Sequence, residues 1–143
     1  MDLRGLMRAS PYHQWLGVEL VREQAGEVEV YLPYRDEFAG SADRTNIHGG
    51  IISTLADIAA CFAMMSSTGY DTPNLDLRVD YLRMARAGTD LVAVAKTVKA
   101  GRTIGVADVE IRTPEGRVIA VGRSTLVTSA LKRDTLTGNQ GDS

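Results

Sequence analysis

A chain of 143 residues, 44% hydrophobic and 24% charged, has the length and composition of one globular domain and leaves little room for a second. Its 16 Lys and Arg stand against 18 Asp and Glu, a net charge of −2, so the basic excess of a nucleic-acid-binding domain is missing. One cysteine, Cys61, excludes an internal disulfide and a Cys-rich zinc site; two histidines, His13 and His48, leave little for a metal centre, and no metal is expected.

The N-terminal run MDLRGLMRASPYHQWLG has no apolar segment of signal-peptide length, because Arg4 and Arg8 interrupt it. No stretch approaches the ~20 uninterrupted apolar residues of a bilayer span. These readings predict a soluble cytoplasmic protein without a membrane partner. Within that run Leu3, Leu6, Met7 and Ala9 follow a helical spacing until Ser10-Pro11 breaks it, which predicts a short helix or two. Gly17 to Arg22 and Glu27 to Leu32 alternate in polarity around Gln24-Ala25-Gly26, the pattern of a hairpin with one wet face. Residues 33–46 are polar and aperiodic and read as a loop.

From His48 to Ser67, Ile51, Leu55, Ile58, Phe62 and Met65 form one helical stripe, and Ile52, Ala56, Ala59 and Ala63 an adjacent one. This predicts a helix of about 20 residues, roughly 30 Å long, surrounded by protein on most sides and stopped by Gly69 and Pro73. Leu75, Leu77, Val79 and Tyr81 then alternate with Asp76, Arg78 and Asp80. Runs at 89–99, 103–113 and 117–128 complete a set of four strands, separated by Ala100-Gly101 and Pro114-Glu115-Gly116 turns. The predicted architecture is α+β: an antiparallel sheet wrapped around one long helix, within a single domain at 1–130. Residues 131–143 are polar and expected to be disordered. Unpaired strand edges and the outer sheet face favour an oligomer.

Three features of the central helix call for chemistry. Asp57 is its one ionisable acid or base after His48, and burying a lone carboxylate costs several kcal/mol unless it is paired. Either it reaches solvent or an oligomer contact, or it is a base whose affinity for protons an apolar site has raised. Gly49 and Gly50 stand at the helix start, where backbone N–H groups and the positive end of the helix dipole suit a developing oxyanion; a tight loop-to-helix turn would also use them. His48 is next to them, as a structural hydrogen-bonding residue or as part of that site. Nine residues separate His48 from Asp57, two and a half turns and roughly 13 Å of rise. They project from opposite sides of one helix. If both are catalytic, Asp57 of one subunit must meet the helix start of its neighbour, and two antiparallel helices about a two-fold axis would form two such sites.

The run His48-Gly49-Gly50 followed by Ser53-Thr54-Leu55-Ala56-Asp57 resembles the hotdog-fold acyl-CoA thioesterases of the phenylacetate-degradation (PaaI-like) subfamily. The likeness extends over nearly the whole chain, through Pro11-Tyr12-His13-Gln14-Trp15-Leu16-Gly17, Asp80-Tyr81-Leu82-Arg83, Lys99-Ala100-Gly101-Arg102 and Gly122-Arg123-Ser124-Thr125. The resemblance implies a homodimer, often paired into a homotetramer, that hydrolyses acyl-CoA with no cofactor beyond the coenzyme A of the substrate. It implies that Asp57 is general base or nucleophile, that the Gly49 N–H, with Gly50, polarises the thioester carbonyl, and that His48 orders the helix start. Relatives commonly carry Asn or Gln six residues before the histidine, where this chain has Ala42; either Asn46 substitutes from closer in, or Asp43 and Arg44 reshape the loop. Where some relatives have Ser or Thr to assist the water, this chain has Asn74.

Arg102, ahead of Arg83, Arg86 and Lys99, is the candidate for the nucleotide phosphates of coenzyme A. Cys61 has no histidine near it in sequence and reads as an inert thiol. No Gly-x-Ser-x-Gly elbow is present, which counts against a serine hydrolase. Two other functions share the fold. A non-catalytic acyl-CoA sensor would bind without hydrolysis, and an enoyl-CoA hydratase would need the Asp and His that the helical spacing holds apart. The acyl group is left open between aryl and medium-chain types.

Overall fold

In the computed structural model, which describes residues 1–129, two short helices, a hairpin, a long helix and four further strands follow in order. The expected disordered tail at 131–143 lies outside the described residues. Helices α1 (Leu3–Ala9) and α2 (Pro11–Leu16) meet at Ser10. Its hydroxyl accepts the His13 N–H at 3.4 Å, and Pro11 occupies a first-turn position that needs no N–H. Gly17, at φ 79, caps α2. That cap is why β1 (Glu19–Gln24) starts two residues after the alternation in the sequence begins. Strand β2 (Glu27–Leu32) buries Val28, Val30 and Leu32, the face its alternation predicts.

Residues 33–46 are more than a polar loop. A 3-10 turn at Asp36–Phe38 drives Phe38 into the core at 1% exposure, with its ring edge-on to Trp15 at 5.8 Å and to Tyr34 at 6.4 Å. A single anchoring aromatic has no period by which a sequence could announce it. Phe38→Ala is expected to cost about 3–5 kcal/mol and to lower the melting temperature by about 10–15 °C in calorimetry. A shift under about 3 °C would remove Phe38 from the list of core anchors.

Helix α3 runs unbroken from Gly49 to Thr68, with His48 as N-cap and Gly69, at φ 80, as C-cap. By length and composition it could cross a membrane, contrary to the sequence reading. Here it is the core helix: ten of its residues, from Ile52 to Met65, are buried against the sheet. Strands β3 (Asn74–Tyr81), β4 (Leu91–Ala100), β5 (Ile104–Arg112) and β6 (Val118–Val127) join the hairpin in one six-stranded sheet of order β1-β2-β4-β5-β6-β3. Every adjacent pair is antiparallel. The sheet curls around α3, the hotdog architecture. Each Leu, Ile or Phe buried between them contributes about 1.5–3 kcal/mol of apolar transfer energy.

The chain crosses the sheet through α3, so β3 lies at the far edge beside β6 instead of next to β2. The two edges differ. The β1 edge is short, charged (Glu19, Arg22, Glu23) and bulged near Leu20, a combination that resists further pairing. The β3 edge is eight residues long, and along or just beyond it Leu75, Tyr81, Leu82 and Met84 are each more than half exposed. On the sheet face away from α3 is an open groove of about 750 Å³ lined by Glu27, Arg78, Asp80, Lys96, Asp108 and Arg123 among others. Its charges are of both signs and partly matched, as in Arg123–Asp108 at 2.6 Å, so the groove gives no field that would select an anion.

Candidate active site

A two-rung ladder delivers the helix start. The His48 N–H donates to the Phe38 carbonyl at 2.7 Å, and the Gly40 N–H donates to the Asn46 carbonyl at 2.8 Å. Ile47 N–H is held by the Ala85 carbonyl at 2.8 Å. Gly40 makes the close approach possible, because a Cβ there would lie 2.6 Å from His48 Cα. The intervening loop turns at Arg44, with φ 57, and is tied by the Asp43 carboxylate. That carboxylate accepts from Ser41 and Thr45, bonds that hold its pKa below the ordinary carboxylate value.

His48 Nδ1 accepts the Gly50 N–H at 2.8 Å. Nδ1 is therefore unprotonated, and the Gly50 N–H is already committed. The Gly49 N–H, by contrast, has no acceptor among the described residues. Tyr81, which sequence reasoning did not single out as a site residue, donates its hydroxyl to the Gly49 carbonyl at 3.0 Å and also hydrogen-bonds Ser53. Its signals in the sequence were the last apolar position of an alternating strand and its place in the Asp80-Tyr81-Leu82-Arg83 run, neither of which gave it a role.

Asp57 lies about two turns beyond Gly49 on α3, on a stripe that the sheet leaves uncovered: Gly50 and Asp57 are exposed and Ser53, Thr54 and Cys61 half-buried, while Ile52, Leu55, Ala56 and Ile58 are buried. Desolvation by the surrounding apolar side chains raises its pKa, and the charge of His13 pulls it partly back. His13 was not among the predicted site residues. It reaches this helix because α2 packs on α3: Tyr12 and Thr54 hydroxyls meet at 3.1 Å, and the His13 ring is 6.0 Å from that of Phe62. Trp15 stacks on Tyr12 at 6.3 Å and carries the Arg35 guanidinium 4.8 Å over its ring. Nothing within α2's sequence says which helix it will lean on.

Within one chain Gly49 and Asp57 do not share a carbonyl-sized site. Eight helical residues separate them by about 12 Å of rise. The structure changes the reason, though. His48 is a cap with φ −59 and ψ 132, outside the helical wheel, so axial distance rather than opposite facing keeps it from Asp57.

The remaining predicted positions are distributed as follows. Asn46 turns its amide to Thr45 Oγ1 at 3.1 Å and its carbonyl to the Gly40 ladder. Asn74 donates to Ser124 Oγ at 2.7 Å, and Ser124 in turn donates to the Asp76 carbonyl at 2.7 Å, which secures the irregular start of β3. That start is linked to the turn after Asp57, since Cys61 Sγ donates to the Thr72 carbonyl at 3.4 Å. Burial pushes the Cys61 thiol up to about 12, so it is an inert thiol at neutral pH. Arg102 is exposed on the β4–β5 turn. That turn is tied through Thr128 to Tyr70, just beyond the C-terminal end of α3, the whole length of the helix away from Gly49.

The arrangement offers a free helix N-terminal amide, a carboxylate of raised basicity and an uncovered helix face between them, on a hotdog fold. The thioesterase-superfamily profile matches residues 45–120, and the chain belongs to that superfamily of thioester hydrolases. A provisionally named esterase of Halobacterium salinarum is 34% identical over 122 residues, 78% of this chain and 80% of that one. The medium/long-chain acyl-CoA thioesterase YigI of Escherichia coli is 29% identical over 130 residues, covering 80% and 83%. Among solved structures, the Escherichia coli PaaI protein of the phenylacetic acid degradation operon superposes with a TM-score of 0.79 over 86% of this chain and 87% of its own, at 24% identity, a likeness of fold alone.

Proposed function

We propose that this protein hydrolyses acyl-CoA thioesters in the cytoplasm as a PaaI-like homodimer, with each active site built from both subunits. The observation that carries the reading is the pairing of a Gly49 N–H without an acceptor among the described residues with an Asp57 carboxylate on the uncovered stripe of the same helix, too distant to act within one chain. Water attacks the thioester carbonyl while Asp57 of one subunit takes its proton; the oxyanion forms against the Gly49 N–H of the other. Collapse breaks the C–S bond, and the proton held by Asp57 passes to the departing thiolate, giving free acid and coenzyme A. His48 keeps Gly50 from competing for the oxyanion and fixes the first turn. No metal or redox cofactor enters this reaction.

The exposed β3 edge and the open stripe of α3 are the surfaces proposed to meet in the dimer. The charged outer sheet face is left for pairing of dimers. Asn74 is proposed to assist the attacking water, and Arg102 to meet the nucleotide phosphates. A lone thiol in the chain suits a reducing compartment. Aryl-acyl and medium-chain groups are the proposed substrates, and free-thiol release from a panel of both kinds of CoA thioester tests the assignment. Binding without thiol release across the panel would instead favour a sensor.

The same assay gives a pH test. The base must be ionised, and burial raises its pKa, so kcat/KM is expected to fall on acidification through an apparent pKa above the ordinary Asp value of about 4. An acid limb at or below that value would mean that the titrating group is not Asp57.

A further inference from the structure

The two consecutive glycines that open α3 create a problem that the proposed oxyanion site must solve. Glycine has more backbone freedom to lose than any other residue, and a first turn has no preceding turn to hold it. A donor on such a turn is useful in catalysis only if it is fixed before the charge develops. The hydrogen bonds around Gly49 supply that fixation from outside the helix. The Gly49 carbonyl and the Gly50 N–H belong to one rigid peptide unit. Tyr81 on β3 holds its oxygen end at 3.0 Å, and His48 Nδ1 holds its hydrogen end at 2.8 Å. The preceding unit, which carries the Gly49 N–H, is held through the His48 carbonyl by the Ile51 N–H at 3.0 Å. With both flanking peptides fixed, neither backbone dihedral of Gly49 is free to turn.

We infer that Tyr81 is a positioning residue for the oxyanion donor, acting as one jaw of a clamp whose other jaw is His48. The inference rests on the proposed role of Gly49. The Tyr81 hydroxyl has one hydrogen, which goes to the Gly49 carbonyl, so Ser53 must donate to the tyrosine oxygen. A serine in a helix would otherwise return its hydroxyl to the carbonyl four residues back, which here is Gly49 itself. Tyr81 takes that place with a ring that also closes on Gly49: a Cβ there would stand 3.4 Å from the tyrosine ring. Because Tyr81 ends an edge strand fixed in register on β6 opposite Ala120, the clamp fastens the helix start to the sheet.

Tyr81→Phe keeps the ring and removes the hydroxyl, and Ser53→Ala removes the group that directs it. For Tyr81→Phe, kcat for acyl-CoA hydrolysis is expected to fall about tenfold, less than loss of the donor itself, with KM changed less than twofold. Amide hydrogen exchange at Gly50, followed by NMR, is expected to accelerate about tenfold, and Ser53→Ala should show the same change to a smaller degree. Unchanged Gly50 exchange in both variants would overturn the clamp, whatever happens to the rate. A rise in KM with kcat intact would also overturn it, by placing Tyr81 in contact with substrate. The exchange measurement needs no turnover, so it judges the clamp even if the protein releases no thiol from any acyl-CoA.

Discussion

Asp57→Asn is expected to lower kcat at least about a hundredfold while the protein remains folded and associated as in the native state. The substitution keeps the side chain's size and removes its charge and basicity, and a positioned general base contributes about 10²–10⁴ in rate. Stability should move the other way. Burial raises the folded-state pKa of Asp57, so the folded chain holds a proton there more tightly than the unfolded chain does. That group's contribution to stability therefore declines as pH rises through the unfolded and then the folded pKa. At neutral pH the asparagine variant should melt at the same temperature as the native protein or slightly higher. Loss of rate with no loss of stability is the signature of a residue kept for chemistry. A fully active variant would end the case for Asp57.

The second large effect is expected at Gly49, where proline can remove the proposed oxyanion donor while largely sparing the fold. Gly49 is the first residue of α3, a position where proline's fixed φ fits and its missing N–H breaks no intrahelical bond. The preceding residue, His48, has φ −59 and ψ 132, in the extended region that a following proline requires. Gly49→Pro should thus cost about 10²–10³ in kcat with a near-native circular dichroism spectrum. The pair of variants also tests whether sites are shared. If Asp57 and Gly49 come from different subunits, mixed dimers of Asp57→Asn and Gly49→Pro chains each contain one intact site. Random reassortment should then restore about a quarter of native activity. Recovery of nothing would confine both residues to one subunit's site or remove one of them from the reaction.

The site residues were legible to different degrees, for physical reasons. Asp57 stood out because a carboxylate within an apolar helix conflicts with burial, and Gly49-Gly50 because a helix normally avoids glycine. Both are conflicts between a residue and its own local element. Tyr81, Phe38 and His13 have no such conflict. Tyr81 fits its strand, Phe38 is one aromatic in an aperiodic segment, and His13 sits in a six-residue helix. Each acquires its role from a segment outside its own element: Tyr81 from the helix start it hydrogen-bonds, Phe38 from the His48 it receives, His13 from the Phe62 ring of α3 beside which it packs.

By itself the sequence determined the short helices, the hairpin, the central helix and the strands that follow it, since hydrophobic period, glycine stops and alternation are local properties of the chain. It predicted as well that His48 and Asp57 lie too far apart along one helix to share a reacting carbonyl, because helical rise is fixed. Only the tertiary structure decided the strand order, the placement of β3 at the exposed edge and the choice of Gly49 over Gly50 as the free donor. The first two depend on hydrogen bonds and packing between segments tens of residues apart, and the third on the rotamer by which the His48 ring caps the Gly50 N–H; local periodicity encodes none of them.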